Sequence, residues 1–253
     1  MIIEVIPGGA FVENTYAIKG DKSSEIILID PGSQITEIEA VINKISFDKM
    51  YIINTHAHLD HVYGVEHFKK KHNADFYIHK NELPIIDVMI SASMRFGLDE
   101  FSNPIIPKVD FFIEDNEELN IAGLIFKSIL VPGHSPGSLC FYFKVDQNPK
   151  ENIEQNFVIC GDTVFAGSIG RVDLTGGTNM KDLVGNIKKR LNLMMGKTNL
   201  PSFDFYYWSP DPFRDHIREY VKDDLRKLAK NLNLENIKIK AVDHMLTPNK
   251  IPS

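Results

Sequence analysis

Residues 54–61, Asn-Thr-His-Ala-His-Leu-Asp-His, place three histidines and an aspartate within six consecutive positions. Neutral imidazole and carboxylate suit a borderline divalent ion such as zinc, and iron and manganese also accept them. On a helix, His56 and His58 would point about 200° apart. On a strand, His56, His58 and Asp60 would share one face and His61 would lie on the other. The sequence therefore predicts a turn that gathers the four side chains.

Such a turn could also divide the four groups into two pairs. His56 with His58 would then hold one ion, and Asp60 with His61 would hold a second ion beside it. Four protein ligands are too few for two ions, so this interpretation requires further ligands downstream.

Two downstream segments supply candidates of the required type. His134 follows Ile-Leu-Val-Pro-Gly, and Asp162 follows Phe-Val-Ile-Cys-Gly, so each ligand comes after an apolar strand and a glycine. Rigid strands that deliver polar side chains to loops at their ends are suited to building a site. Gly133 and Gly161 permit backbone geometry that a β-carbon would resist.

The elements that must position these residues follow from the spacing of apolar residues. Strands and helices are mixed in both halves, which favours two sheets covered by outer helices over a single doubly wound sheet. The predicted strands are 1–6, 14–20, 24–30, 49–54, 74–80, 124–131, 138–146, 156–160, 203–208 and 236–242. The predicted helices are 35–45, 61–72, 82–94, 180–194 and 214–232, and residues 96–108 are predicted to be irregular.

Composition limits the classes of partner. The chain has 253 residues, 43% of them hydrophobic, and a formal net charge of −6, which argues against nucleic acid or an acidic membrane as the main partner. We find no signal peptide and no run of about 20 apolar residues, so we expect a cytoplasmic protein with a small-molecule substrate. The two cysteines do not form a disulfide framework. The sequence does not indicate an oligomeric state.

The order of these motifs resembles the metallo-β-lactamase fold superfamily. The early Asp-Pro-Gly and the segments 132–142 and 161–174 are similar to the branch that contains glyoxalase II (hydroxyacylglutathione hydrolase) and its smaller relatives. The resemblance covers about residues 1–195. It implies an α/β (α+β) fold, a four-layered αββα sandwich with a dinuclear metal site at one edge of the sheets. We expect one domain over 1–253, with an insertion at about 203–235.

The resemblance also implies a set of metal ligands for two divalent ions, with zinc as the preferred ion and iron or manganese as alternatives. The first ion would be bound by His56, His58 and His134. The second would be bound by Asp60, His61 and one more histidine, with Asp162 bridging the two ions.

That last histidine is the point at which the sequence departs from the family pattern. Relatives place a Gly-His turn soon after the helix that matches 180–194, but this chain has no Gly-His there. The next histidine after a predicted strand is His244, with Asp243 in the glycine position, and we take His244 as the ligand. His216 is the alternative. A third interpretation is an incomplete second site.

Two adjacent divalent ions can share a water molecule and lower its pKa from 15.7 toward about 7, which gives a nucleophile without an activated serine or cysteine. The resemblance then implies a metallo-hydrolase that cleaves a thioester or ester with metal-bound hydroxide. Asp60 and Asp162 are the expected catalytic carboxylates, which orient the hydroxide or relay a proton to the leaving group.

Three other hypotheses keep the same fold. One is a mononuclear iron persulfide dioxygenase that would bind iron through His56, His58 or His134 and Asp162 and leave the second half of the site empty. Another is a lactonase or another hydrolase of this fold, because the same nucleophile serves several acyl bonds. The last is a regulatory member whose second metal site has been lost.

Overall fold

A computed structural model describes residues 1–143, 157–165, 168–196 and 204–205. Its strands are β1 (Ile2–Gly8), β2 (Glu13–Lys19), β3 (Glu25–Ile29), β4 (Lys49–Ile53), β5 (Asp75–Ile78), β6 (Phe111–Phe112), β7 (Glu118–Ile121), β8 (Leu124–Leu130), β9 (Leu139–Phe143), β10 (Phe157–Ile159), β11 (Val164–Phe165), β12 (Ser168–Ile169) and β13 (Asp204–Phe205). Its α-helices are α1 (Ile35–Ile42), α2 (Leu59–Val62), α3 (Val65–His72), α4 (Leu83–Asp87), α5 (Met89–Phe96) and α6 (Met180–Gly196). Short 3₁₀ helices occupy Lys80–Glu82 and Asp99–Phe101.

Two main sheets organise the described residues. The first has the order β1-β2-β3-β4-β5-β6, antiparallel from β1 to β3 and parallel from β3 to β6. Parallel neighbours need crossover connections, and α1 to α5 supply helices for them. The second sheet has the order β13-β10-β9-β8-β7, in which β7 to β10 are antiparallel. The strands β11 and β12 form a small separate hairpin.

Three apolar clusters show how the layers stack. One joins the first sheet to its helices and includes Ile38, Ile52 and Phe68. A second lies between the two sheets and includes Ile27 and Phe141. A third joins the second sheet to α6 through residues such as Val158 and Leu183. Helix, sheet, sheet and helix are therefore successive layers, which confirms the predicted α/β class and the two covered sheets.

The structure divides two of the predicted helices. The helix predicted over 61–72 is interrupted at Gly64, whose amide donates to the carbonyl oxygen of Pro31 over 2.9 Å. A β-carbon on Gly64 would lie 2.5 Å from the carbonyl oxygen of Gly32, so this close approach requires glycine. The helix predicted over 82–94 is α4 followed by α5, with Val88 at the junction.

Several predictions concern residues outside the described ranges. They are the helix at 214–232, the strand at 236–242 and the insertion at about 203–235 apart from β13. No helix in the part of the chain that the structure describes is both long and apolar enough to cross a bilayer.

Candidate metal centre

The candidate ligands lie shortly after the ends of three strands, most of them in loops, and Asp60 and His61 in α2. Residues 54–58 follow β4 of the first sheet, and α2 continues directly from them. His134 comes soon after β8, and Asp162 soon after β10, both in the second sheet. The candidate ligands therefore meet where strand ends of the two sheets lie close together.

Both glycines predicted to shape these loops adopt positive φ angles. Gly133 has a φ of 146° and Gly161 a φ of 47°, values that favour glycine. A β-carbon on Gly161 would lie 2.2 Å from the hydroxyl oxygen of Thr55. The absence of that carbon lets the loop of Asp162 pack directly against the histidine motif.

Three buried histidines converge on one point. His134 Nε2 lies 2.8 Å from His58 Nδ1 and 3.2 Å from His56 Nε2. One nitrogen from each ring lies within 4.8 Å of those of the other two. His56, His58 and His134 are at most 7% exposed. We refer to these three side chains as the first half-site.

Backbone carbonyls fix the orientation of two of these rings. His58 Nε2 lies 3.0 Å from the carbonyl oxygen of Thr175, and His134 Nδ1 lies 2.7 Å from that of Arg171. A carbonyl oxygen only accepts hydrogen bonds, so both outer nitrogens carry the proton. The inner nitrogens then present lone pairs, which is the form in which imidazole binds a metal.

Asp30 orients the third ring and connects it to His61. The hydroxyl of Thr55 donates to Asp30 Oδ2 over 2.6 Å and lies 3.1 Å from His56 Nδ1. His61 Nδ1 lies 3.0 Å from the same Asp30 oxygen. The Thr55 amide donates to Asp30 Oδ1 over 2.7 Å. Because both carboxylate oxygens are engaged, Asp30 fits an orienting role rather than that of a ligand, although it lies within ligand distance of His56 and His61.

His61, Asp60 and Asp162 form a second group, which we call the second half-site. His61 Nε2 is buried and makes no hydrogen bond within the described residues. It lies 3.3 Å from Asp162 Oδ1 and 3.6 Å from Asp60 Oδ2. The other Asp162 oxygen lies 3.7 Å from His134 Nε2, so this carboxylate stands between the two half-sites. A buried nitrogen without a hydrogen bond, facing two carboxylates, fits a metal ligand.

Burial keeps the first half-site neutral. It lowers the pKa of His56 well below its usual value, with the neighbouring His61 and His134 acting in the same direction. Burial likewise lowers the pKa of His58 to about 3. The pKa of His134 is also lowered by burial. All three rings are therefore neutral at physiological pH, as metal binding requires.

The second half-site has the opposite electrostatic character. Desolvation raises the pKa of Asp60 to about 6, and His61 opposes this shift. Desolvation alone would raise the pKa of Asp162, but the adjacent His61 lowers it well below its usual range. Burial alone would lower the pKa of His61, yet Asp60 and Asp162 hold it well above its usual value. The two carboxylates thus concentrate negative charge where a cation would be stabilised.

The structure brings together six of the seven predicted site residues. The seventh, His244, and its alternative His216 lie outside the described residues. Sequence reasoning assigned no site role to Asp30, Thr55 or Glu82. A signal existed for Asp30, which ends an apolar strand in an Asp-Pro-Gly turn.

Several other side chains that could carry chemistry have structural settings. Cys140 and Cys160 are buried free thiols. Arg171 makes an exposed, two-pronged ion pair with Asp173, with both N–O distances at 2.7 Å. His79 accepts a hydrogen bond from the amide of Asn81 at the start of a 3₁₀ helix, which is a structural role.

Comparison with known proteins agrees with the fold. Residues 8–231 match the metallo-beta-lactamase superfamily, and the chain belongs to that family. The probable metallo-hydrolase YqgX of Bacillus subtilis is 32% identical over 188 residues, which cover 74% of this chain and 82% of that protein. The hydroxyacylglutathione hydrolase GloC of Haemophilus influenzae is 28% identical, over 76% of this chain and 84% of that protein.

A solved structure, TTHA1623 in a di-iron-bound form, superposes with a TM-score of 0.61. It is 27% identical, and the match covers 83% of this chain and 92% of that chain. The chain is therefore a metallo-hydrolase-type member of a superfamily that binds divalent metals.

Proposed function

We propose that this chain holds two divalent metal ions, with zinc as the preferred ion, and hydrolyses a thioester or ester. The observation that carries the proposal is the convergence of His56, His58 and His134 with their outer nitrogens held by fixed partners. The similarity to a hydroxyacylglutathione hydrolase supports a thioester as the substrate. Bound ions would lower the pKa of a water molecule toward neutrality and polarise the substrate carbonyl.

The protein residues then have distinct tasks. His56, His58 and His134 would hold the first ion, and Asp60 and His61, with His244 as the proposed last ligand, would hold the second. Asp162 would bridge the two ions, because its two oxygens face His61 and His134 respectively.

The side of the centre that carries Asp60 and Asp162 is also the more exposed to solvent. Their side chains are 20% and 30% exposed, whereas His134 is fully buried. A substrate would approach from this side. There the carboxylates can orient the attacking water and pass a proton to the departing thiolate or alkoxide.

The test is an assay of metal-replete protein on S-lactoylglutathione, a simple thioester, an ester, a lactone and a β-lactam. We expect turnover on the thioester substrates and its loss in Asp60→Ala that remains folded. Turnover of only the lactone or the β-lactam would support a hydrolase but replace the thioester or ester as the proposed substrate class. No turnover above background on any substrate, or one bound iron with oxygen uptake on a persulfide, would contradict the proposal.

A further inference from the structure

Glu82, at the end of the 3₁₀ helix that precedes α4, has a fully buried side chain. No ion pair to it is found within the described residues. A buried carboxylate without a cation is costly unless hydrogen bonds replace its hydration. Three donors do so here. The Ala57 amide donates to Oε2 over 2.7 Å, and the Ser135 hydroxyl and the Gly137 amide donate to Oε1 over 2.7 and 2.6 Å.

These donors belong to the two loops that form the first half-site. Ala57 stands between His56 and His58, and Ser135 directly follows His134. The first loop follows β4 of one sheet, and the second follows β8 of the other. A single carboxylate from a third segment, after β5, thus contacts both loops, which are also joined by a backbone hydrogen bond from the Leu139 amide to the Thr55 carbonyl oxygen over 2.9 Å.

The packing around this carboxylate is tight. A β-carbon on Gly137 would lie 2.8 Å from Glu82 Cγ and 2.9 Å from Oε1. The Ser135 hydroxyl also lies 2.5 Å from that of Ser138, so the hydroxyl that contacts the carboxylate is itself held. The second loop consequently has little freedom to shift relative to Glu82.

We propose that Glu82 is a positioning residue that sets the separation of the histidine-motif loop and the Gly-His loop. It thereby fixes the distances between ring nitrogens across the first half-site, such as the 2.8 Å between His58 Nδ1 and His134 Nε2. The inference rests on the proposed metal site and adds a determinant of its affinity and coordination geometry.

Glu82→Gln tests this role with little change in shape. The amide keeps one acceptor oxygen but turns an NH₂ group toward one of the loops, where an N–H or O–H donor already points. We expect zinc affinity, measured by competition with a chromogenic chelator, to fall about 10- to 100-fold. We also expect the absorption spectrum of the cobalt(II)-substituted protein to change, since it reports coordination geometry.

Asp110→Asn is the matched control. Asp110 also accepts a backbone N–H, from Phe76 over 2.9 Å, and it pairs with Lys69 rather than with a ligand loop. The zinc affinity of the Asp110→Asn protein should stay within about twofold of wild type, because the substitution leaves both ligand loops unchanged. Thermal unfolding of each protein without added metal separates loss of fold from loss of affinity.

Wild-type affinity and an unchanged cobalt spectrum in folded Glu82→Gln would overturn the inference, even if the variant unfolded at lower temperature. If Glu82→Gln does not fold, Ser135→Ala serves as the second variant, because it removes one of the three hydrogen bonds to Glu82. We expect Ser135→Ala to bind zinc more weakly than wild type. Unchanged zinc binding in Ser135→Ala would then overturn the inference. A wild-type chain that bound neither zinc nor cobalt would overturn the proposed function as well, so the two failures are distinguishable.

Discussion

The two half-sites differ in how completely their side chains are held. Each ring of the first half-site has its outer nitrogen at a fixed oxygen, and its rings are almost fully buried. In the second half-site, only His61 is held in this way, by Asp30, and the two carboxylates are partly exposed. The first half-site is therefore preorganised, and the second is the more open.

This difference predicts that the two half-sites bind their ions with unequal affinity. Ligands that are already fixed lose little freedom on binding, so the first half-site should bind its ion more tightly. The second half-site has fewer orienting contacts in the described residues and depends on a further ligand, for which we propose His244. The following substitutions test the contrast, and their expected effects decrease in order.

His134→Ala should have the largest effect. It removes a proposed ligand of the first ion, whose nitrogen lies within 3.2 Å of those of both His56 and His58. We expect the tighter ion to be lost and hydrolysis to fall by about 10³-fold or more, because activation of water depends on the bound ions. Metal content by mass spectrometry and the thioester assay measure both effects. Wild-type metal content in the variant would contradict the assignment of the first half-site.

Asp30→Asn should weaken both half-sites. One carboxylate oxygen contacts His61 and the Thr55 hydroxyl, the other accepts from the Thr55 amide, and an amide cannot accept at both of its ends. We expect about 10- to 100-fold weaker binding of both ions. Chelator competition measures it, with Asp75→Asn, which alters a surface ion pair with Lys49, as the control. Weaker binding of only one of the two ions would show that Asp30 does not couple the two half-sites.

His244→Ala should affect only the second ion. We expect that ion to be lost at micromolar free zinc, while affinity for the first changes by less than about threefold, since the rings of the first half-site are already held by their own partners. Metal content after gel filtration distinguishes the cases, with His216→Ala as the paired variant. Loss of the second ion in His216→Ala instead would move the assignment to His216.

Arg171→Ala should have the smallest effect. The contact of Arg171 with His134 uses the backbone carbonyl, which the substitution keeps. The side chain makes an exposed ion pair with Asp173, so the free energy of unfolding should change by less than about 0.5 kcal/mol. Urea denaturation measures this change. A tenfold loss of metal affinity in Arg171→Ala would contradict the view that Arg171 supports the metal centre through its backbone carbonyl.

Periodicity and motif spacing predicted much of the fold. The strands of the first sheet up to β5 and the central strands of the second were expected, because apolar runs bounded by turn residues are local signals. The short strands β6, β11 and β12 have only two residues each and no such signal. The break at Gly64 depends on a contact with the distant Asp-Pro-Gly turn, which periodicity cannot indicate.

The candidate ligands gave clearer signals in the sequence than the residues that orient them. Close spacing in the sequence indicates four of them, His56, His58, Asp60 and His61. The downstream candidates each follow a predicted strand and a glycine. Glu82 gave no signal, since an acidic residue before a helix is ordinarily solvent-exposed. Its role arises from hydrogen bonds to loops 25 and 55 residues away in sequence.

Graded removal of metal tests whether the two half-sites hold two ions with unequal affinity. Zinc-loaded wild-type chain would be titrated with chelators of increasing affinity, and the zinc remaining per chain measured at each step. The account predicts two ions released in two separate steps, with His58→Ala abolishing the later step. Absence of bound divalent metal, or retention of the tighter ion in His58→Ala, would contradict it.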